Sequence, residues 1–301
     1  MGPCFTVKEL QHEAKPSKLD PVYAAKLQEV LGGQYGEISV MMQYLFQGFN
    51  CRADKKYRDL LLDVGTEEIA HVEMLATMIA RLLDNAPFEV QQNAYEMDPA
   101  LAAVLGGTNP QHAIVSGLGA MASDSEGYPW NAKYIISSGN LLADFRANLN
   151  AKSQGRLQVT RLYGMTDDPG VRDMLSFLIA RDTYHQNMWY AAIKELEECE
   201  EDIVVPTTFP RSLEKGEVSY TLFNFSEGEA SSKGRWAYGP SFDSRGNFHY
   251  SPQPYAWGQK PHLPPAPPAY HNTVPGKCDG QQQASNQANQ KPQQQRETDL
   301  E

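Results

Sequence analysis

Apolar residues recur every three or four positions along four stretches of the chain, which is the spacing of amphipathic helices. The first predicted helix covers about residues 20–51, where an aspartate and a proline provide an N-cap and a first helical residue. The second covers about residues 55–85, and the third about residues 140–165. The fourth begins at Pro169 and continues to about residue 198.

The connections between these helices favour one bundle topology. Two of the three connections are short, whereas residues 87–138 lose the helical period and accumulate Gly, Pro and Asn. This long crossover carries one predicted short helix near residues 99–105. Two short-looped hairpins joined by a crossover are typical of a ferritin-like four-helix bundle. The sequence therefore predicts a mainly α protein with this bundle over residues 20–200.

The ends of the chain differ from the bundle in composition. We interpret residues 1–19 as an N-terminal arm. Residues 201–260 contain short alternating or aromatic segments, which predict an irregular β tail packed on a neighbouring subunit. Those segments are residues 218–225, 234–238 and 247–250. Residues 261–301 are rich in Pro and Gln, a composition typical of disorder.

Composition narrows the class of partner. The net charge of −11 makes nucleic acids and anionic membrane surfaces poor partners, and a small uncharged substrate fits better.

We find no secretory signal and no apolar run long enough to cross a membrane, so we expect a cytoplasmic protein. The four cysteines have neither metal-site spacing nor the density of a disulfide scaffold, so we interpret them as free thiols.

Two acid–histidine pairs carry the candidate chemistry. Glu68 precedes His71 by three residues, and Asp182 precedes His185 by three residues, on faces otherwise built from apolar residues. A carboxylate in an apolar interior costs several kcal/mol unless a positive charge neutralises it. A cation shared by ligands on facing helices is a common solution in helix bundles. The pairs therefore predict a metal centre.

A third acid, Glu37, lies on the inward face of the first predicted helix. Val40 and Tyr44 follow it at helical spacing, so the carboxylate should be buried. Taken alone, Glu37 could be a partly exposed acid bonded to Tyr44, and His71 could be an ordinary core histidine. The coincidence of all these side chains on inward stripes favours the metal centre. Carboxylate and imidazole together suit Mn, Fe and Zn.

The third predicted helix departs from the carboxylate pattern at Lys152. Phe145 and Val159 lie seven residues on either side and fix this position on the inward stripe. Lys152 could extend its ammonium to solvent, could be a neutral metal ligand with a lowered pKa, or could be an ammonium that replaces one metal's charge.

Several stretches together resemble the manganese (non-haem) catalases. The resemblance covers about residues 20–239 and rests on long motifs. These motifs are residues 34–37, 42–48, 68–71, 166–171, 180–182 and 185–187.

This resemblance implies a binuclear manganese centre, hydrogen peroxide as substrate, a homohexamer and a bacterial cytoplasmic setting. It assigns Glu37 and His71 to one manganese, Glu68 as the bridge, and His185 to the second manganese. The remaining family ligand is a glutamate in an Ala-Glu-Ser pattern, and this chain has Lys152 there. Two manganese ions per subunit are therefore expected, with the second site altered by the lysine.

Some members of the family also bind calcium. The matching oxygen donors here are Asp59, Asp63, Asn224, Ser226 and Gly228. Without the resemblance, Asp59 and Asp63 would be interpreted as part of a solvated helix face.

The functional expectation is a manganese catalase that converts hydrogen peroxide to water and dioxygen, with metal content or activity altered by Lys152. Asp182 would be the proton shuttle or a replacement ligand, and Tyr44 would donate a hydrogen bond to Glu37. The alternative is a metal-poor relative that serves as a structural or binding assembly. Iron oxidation and storage is a third class, but the long crossover and tail are unlike a shell-forming subunit.

Overall fold

The computed structural model describes residues 9–84, 109, 111–201, 203–205, 209–253, 258 and 264. The chain divides into two compact units. The first comprises residues 1–220 and 238–248, and the second comprises residues 221–237 and 249–301.

Helices dominate the first unit, which confirms the predicted mainly α class. They are α1 (Pro21–Gly32), α2 (Glu37–Asn50), α3 (Lys55–Leu83), α4 (Gln111–Ile114), α5 (Leu141–Tyr163) and α6 (Pro169–Glu200). Among the described residues, no helix combines the length and the apolar content needed to span a bilayer. The predicted short helix near residues 99–105 lies outside the described residues.

The bundle consists of two helical hairpins and a crossover. Helix α2 packs against α3, and α5 packs against α6, each pair joined by a short loop. Helix α1 also packs against α3. The predicted N-cap at Asp20 is confirmed, because its side chain accepts a hydrogen bond from the Tyr23 amide at 2.9 Å. This is the connectivity of a ferritin-like bundle.

The prediction of one continuous first helix is wrong, because residues 33–36 separate α1 from α2. Gly32 ends α1 against Ser123, whose carbonyl oxygen would lie only 2.3 Å from a Cβ at that position. Gly36 then provides the N-cap residue of α2 in an extended conformation. The break matters for the site because it places Glu37 in the first turn of α2, where the helix dipole favours a negative charge.

The apolar core is divided into two clusters. One contains residues from α1 and the C-terminal half of α3, including Leu27 and Leu75. The other contains residues from α2 and the N-terminal half of α3, including Val40 and Leu61. Helices α5 and α6 contribute to both clusters. The candidate metal residues lie between the two clusters along α3, α5 and α6, so the site is a polar layer within an apolar core.

The tail contains three short strands, β1 (Thr221–Phe223), β2 (Gly239–Pro240) and β3 (Asn247–Ser251). In the second unit, β1 pairs in parallel with residues 249–251 of β3, with Thr221 opposite His249. In the first unit, β2 pairs antiparallel with residues 247–248 of β3. Residues 234–238, one segment of the predicted irregular β tail, form turns and bends, and β2 begins directly after them at Gly239, whose φ is +88°.

Asp168 connects the start of α6 to the N-terminal arm. One carboxylate oxygen accepts hydrogen bonds from the amides of Gly170 and Val171 at 2.9 and 3.0 Å, as an N-cap. The other accepts from the amides of Ser17 and Lys18 at 2.8 and 3.1 Å. A single buried carboxylate therefore satisfies four backbone donors.

We expect Asp168→Ala to lower the free energy of unfolding by about 2 kcal/mol, because the helix loses its cap and the arm loses its acceptor. Urea denaturation of the purified protein measures this change. Asp167→Ala is the matched control, because the Asp167 side chain is 96% exposed and should contribute little. Equal effects of the two substitutions would contradict this account of Asp168.

Candidate metal centre

Four helices bring the predicted ligand residues to one place. Glu37 comes from α2, Glu68 and His71 from α3, Lys152 from α5, and Asp182 and His185 from α6. All six are buried, with at most 4% of each residue exposed. The structure therefore brings together the four residues predicted to bind manganese. It also places Lys152 and Asp182 beside them.

Glu68 lies at the middle of this cluster. Its Oε2 is 2.7 Å from Nδ1 of His71, and its Oε1 is 3.1 Å from Nδ1 of His185. The ammonium nitrogen of Lys152 is 2.9 Å from the same Oε1. Glu68 therefore contacts both imidazoles and the lysine at once.

Lys152 points into the site rather than to solvent, so the solvent-reaching alternative is wrong. Its Nζ donates a well-oriented hydrogen bond to Oε2 of Glu37 at 3.0 Å. It lies 2.9 Å from Oδ1 of Asp182 and from Oε1 of Glu68, at ion-pair distance but without hydrogen-bond orientation. Three carboxylates therefore surround one amine.

The electrostatics of the cluster favour the charged form of that amine. Burial alone would lower the pKa of Lys152, but the carboxylates of Asp182, Glu37 and Glu68 outweigh it and hold the pKa well above its usual value. Without a metal, the neutral-ligand form is therefore disfavoured.

The same buried environment shifts the pKa values of the acids and of the imidazole in different directions. Burial raises the pKa of Glu37 to about 8, even though Lys152 opposes this change. Burial acts in the same direction on Glu68, but Lys152 and His71 hold the pKa of Glu68 well below its usual value. For His71, burial is outweighed by Glu68 and Glu67, which raise its pKa to about 10. Of these two carboxyl groups, Glu68 is thus the more strongly acidic and Glu37 the more easily protonated.

Tyr44 does not make the predicted hydrogen bond to Glu37. Its hydroxyl is buried and has no hydrogen-bond partner among the described residues, and its ring packs 5.0 Å from that of Trp189 between centroids. Burial raises the pKa of Tyr44 well above its usual value. Tyr44 therefore remains a protonated hydroxyl next to the cluster without a fixed acceptor.

Unpaired polar atoms test whether a cation fits this site. Among the described residues, Oδ2 of Asp182 is buried without a hydrogen bond, whereas Oε1 of Glu68, Oδ1 of Asp182 and Nδ1 of His185 make only ion-pair contacts within the cluster. Buried polar groups normally make hydrogen bonds, so these oxygen and nitrogen atoms are available to coordinate a cation. One atom each from Glu37, Glu68 and His71 also lies within 4.8 Å of the others. The donor set fits one cation, and Lys152 stands at the position of the one further carboxylate that the resemblance implies.

Sequence reasoning missed Glu67 and Arg181. Glu67 Oε2 accepts a hydrogen bond from Nε2 of His185 at 3.0 Å, and Arg181 binds both Glu67 oxygens at 2.6 and 3.1 Å. The available signal was spacing, because Glu67 precedes His71 by four residues and Arg181 precedes His185 by four residues.

Buried amides, also missed, fix α5 beside α2. Asn148, one turn before Lys152, accepts hydrogen bonds from the side-chain amides of Gln43 and Gln47 at 2.8 and 3.0 Å, and donates one to Gln47 at 2.7 Å. These hydrogen bonds fix α5, the helix that carries Lys152, against α2.

The predicted calcium residues belong to two units. Asp59 and Asp63 lie on an exposed face of α3 in the first unit, and Asp59 is 3.8 Å from Lys55. In the second unit, Ser226 donates hydrogen bonds to Asn224 and to the carbonyl oxygen of Gly228. The calcium assignment stays a prediction.

Fold and site together define a ferritin-like four-helix protein with a carboxylate–histidine centre. The family model for manganese containing catalase matches residues 5–286. A manganese catalase of Bacillus subtilis is 62% identical over 270 residues, covering 90% of this chain and 98% of the relative. The uncharacterized protein YjqC of Bacillus subtilis strain 168 is 79% identical over 276 residues, covering 91% of this chain and 99% of the relative.

A solved structure agrees with these sequence comparisons. The crystal structure of KatB, a manganese catalase from Anabaena PCC7120, superposes with a TM-score of 0.65 at 27% identity. The match covers 83% of this chain and 99% of KatB. The chain belongs to the manganese-containing catalase family.

We expect Lys152→Met to lower the free energy of unfolding of the metal-free protein by about 3–5 kcal/mol, because it leaves buried carboxylates without their cation. Urea denaturation in the presence of a chelator measures this loss, and added Mn²⁺ should recover part of it. The matched control is Lys55→Met, because the Lys55 side chain is 84% exposed. A metal-free Lys152→Met protein as stable as the wild type would contradict the role of the ammonium.

Proposed function

We propose that this protein disproportionates hydrogen peroxide to water and dioxygen at manganese held by Glu37, Glu68 and His71, with the Lys152 ammonium in place of a second cation. The observation that carries the proposal is the convergence of these buried carboxylate, imidazole and ammonium groups in a member of the manganese catalase family. Carboxylate and imidazole donors suit manganese.

The positive charge of Lys152 limits the number of manganese ions that the site can hold. Its Nζ is 2.9 Å from Oε1 of Glu68, and the same oxygen is 3.1 Å from Nδ1 of His185. The resemblance assigns His185 to the second manganese, so the ammonium lies where that ion would bind. A buried positive charge so close to a second cation would repel it strongly, because the site is screened little from such interactions. We therefore propose one manganese per subunit, whereas the family resemblance alone implies two.

Disproportionation transfers two electrons and two protons from one peroxide molecule to another. A single manganese held by Glu37, Glu68 and His71 would have to change by two oxidation units to supply both electrons and recover them, whereas two ions would each change by one unit. The protein's residues move the protons. Asp182 has a buried Oδ2 without a hydrogen bond and can accept a proton, and the Lys152 ammonium 2.9 Å from Oδ1 can donate one.

A metal-poor structural or binding protein is the second candidate. It is favoured by the contacts of the Lys152 ammonium with three carboxylates, which neutralise part of the cluster without any metal. In this case the Lys152 ammonium would keep cations out of both metal positions.

Calcium binding, a homohexamer and a cytoplasmic location also remain proposals from the family resemblance. Calcium is supported by two exposed carboxylates one helical turn apart, Asp59 and Asp63, and by the oxygen-rich turn at residues 224–228. The hexamer would provide a surface for the exposed aromatic side chains, such as Phe49 and Trp236.

We expect the wild-type protein to contain about one manganese per subunit, and Lys152→Glu to raise this toward two because it restores a carboxylate set. The same substitution should raise the rate of oxygen release by about tenfold or more, since it completes the metal's ligand shell. Elemental analysis and an oxygen electrode, applied to protein produced with manganese, measure both quantities.

Lys55→Glu is the control for a general effect of adding negative charge, and it should change neither quantity. Wild-type oxygen release no faster than that of free Mn²⁺, with Lys152→Glu restoring it, would support the metal-poor candidate. No oxygen release from either protein, with manganese bound to both, would contradict the catalase proposal.

A further inference from the structure

We propose that Glu67 is a positioning residue that orients His71, the histidine of the proposed manganese site, together with the neighbouring His185, and that Arg181 fixes Glu67 for this task. The inference rests on the proposed manganese site and names a carboxylate that no ligand assignment includes. The hydrogen bonds and ion pairs of Glu67 are with Gln11, Arg181 and the two histidines. Glu67 would therefore affect the manganese site through the imidazoles.

The two nitrogens of each imidazole face opposite carboxylates. The Nδ1 atoms of His71 and His185 lie 2.7 and 3.1 Å from Glu68, inside the centre. Their Nε2 atoms face Glu67, at 3.6 Å for His71 and 3.0 Å for His185. Histidines that bind a metal commonly donate the other ring N–H to a carboxylate, which fixes both the tautomer and the ring orientation. Glu67 offers this carboxylate to His185 through a hydrogen bond and to His71 through a longer ion-pair contact.

The carboxylate of Glu67 is itself held in place. Arg181 donates hydrogen bonds to both of its oxygens, at 2.6 and 3.1 Å, which is the two-pronged geometry that fixes the plane of a carboxylate. Gln11 of the N-terminal arm adds a third hydrogen bond at 3.1 Å. Four donors thus converge on one side chain with 19% of its surface exposed.

The spacing along the helices explains how one residue, Glu67, can contact two histidines. Glu67 lies four residues before His71 on α3, and Arg181 lies four residues before His185 on α6. Each therefore shares a helix face with its histidine. The Glu67–Arg181 pair joins the two helices that carry the histidines, so the separation of the rings depends on it.

A merely structural ion pair is the alternative. A partly exposed pair of this kind contributes little to folding, so stability alone would not distinguish the two roles. Ring orientation and metal affinity do distinguish them, because a structural pair would leave both unchanged.

The decisive variant is Glu67→Gln in the full-length protein. Glutamine has one acceptor oxygen and one donor NH₂ group, so it cannot accept from Arg181 and from both imidazoles together. Glu73→Gln is the matched control, because Glu73 is exposed on the same helix. The probe is Mn²⁺ alone, titrated into metal-free protein against a fluorescent chelator, with electron paramagnetic resonance of the bound ion as a second readout.

We expect Glu67→Gln to weaken Mn²⁺ binding by about 10- to 100-fold and to change the resonance spectrum, while the urea midpoint stays near that of the control. Affinity within about twofold of the control would overturn the inference.

Crystal structures of the metal-free wild type and Glu67→Gln test the same inference without manganese. At least one imidazole should turn in the variant, so that its Nδ1 leaves Glu68; unchanged rings would overturn the inference. Absence of Mn²⁺ binding by the wild type would instead refute the proposed function, while the ring orientations would still decide the role of Glu67.

Discussion

The centre of this protein depends on the interaction of one buried ammonium with three buried carboxylates. Lys152 lies within 3.0 Å of Glu37, Glu68 and Asp182 in a region where every one of these residues is almost fully shielded from solvent. Carboxylates cannot remain ionised there without a cation. In other members of the family, the resemblance implies that metal ions meet this need. Here the Lys152 ammonium supplies positive charge among these carboxylates.

The fold explains how these charges are kept together. The polar layer lies between two apolar clusters, so α3, α5 and α6 are each fixed by hydrophobic packing on both sides of the site. The interruption between α1 and α2 places Glu37 at a helix N-terminus, and the amides around Asn148 fix the position of the lysine-bearing helix. The backbone therefore holds the side chains at short distances before any metal binds, which is the preorganisation that metal centres require.

Much of this arrangement was accessible from sequence, because helical periodicity specifies which residues face inward. The positions of Glu68, His71, Asp182 and His185 followed from this periodicity, and so did the inward direction of Lys152. The break after α1 was not accessible, because it depends on the contact between Gly32 and the distant Ser123. The missing hydrogen bond of Tyr44 and the role of Glu67 depend on side-chain directions across helices, which the spacing of residues on one helix does not determine.

The central claim is that the Lys152 ammonium and a single manganese share this site. Anomalous X-ray diffraction at the manganese edge, from crystals of the wild-type protein grown with Mn²⁺, tests this claim most directly. The account predicts one anomalous peak per subunit, bounded by Glu37, Glu68 and His71, with the lysine nitrogen still among the carboxylates. Two peaks of equal height, with the Lys152 side chain displaced or bound to one of the metals, would contradict it.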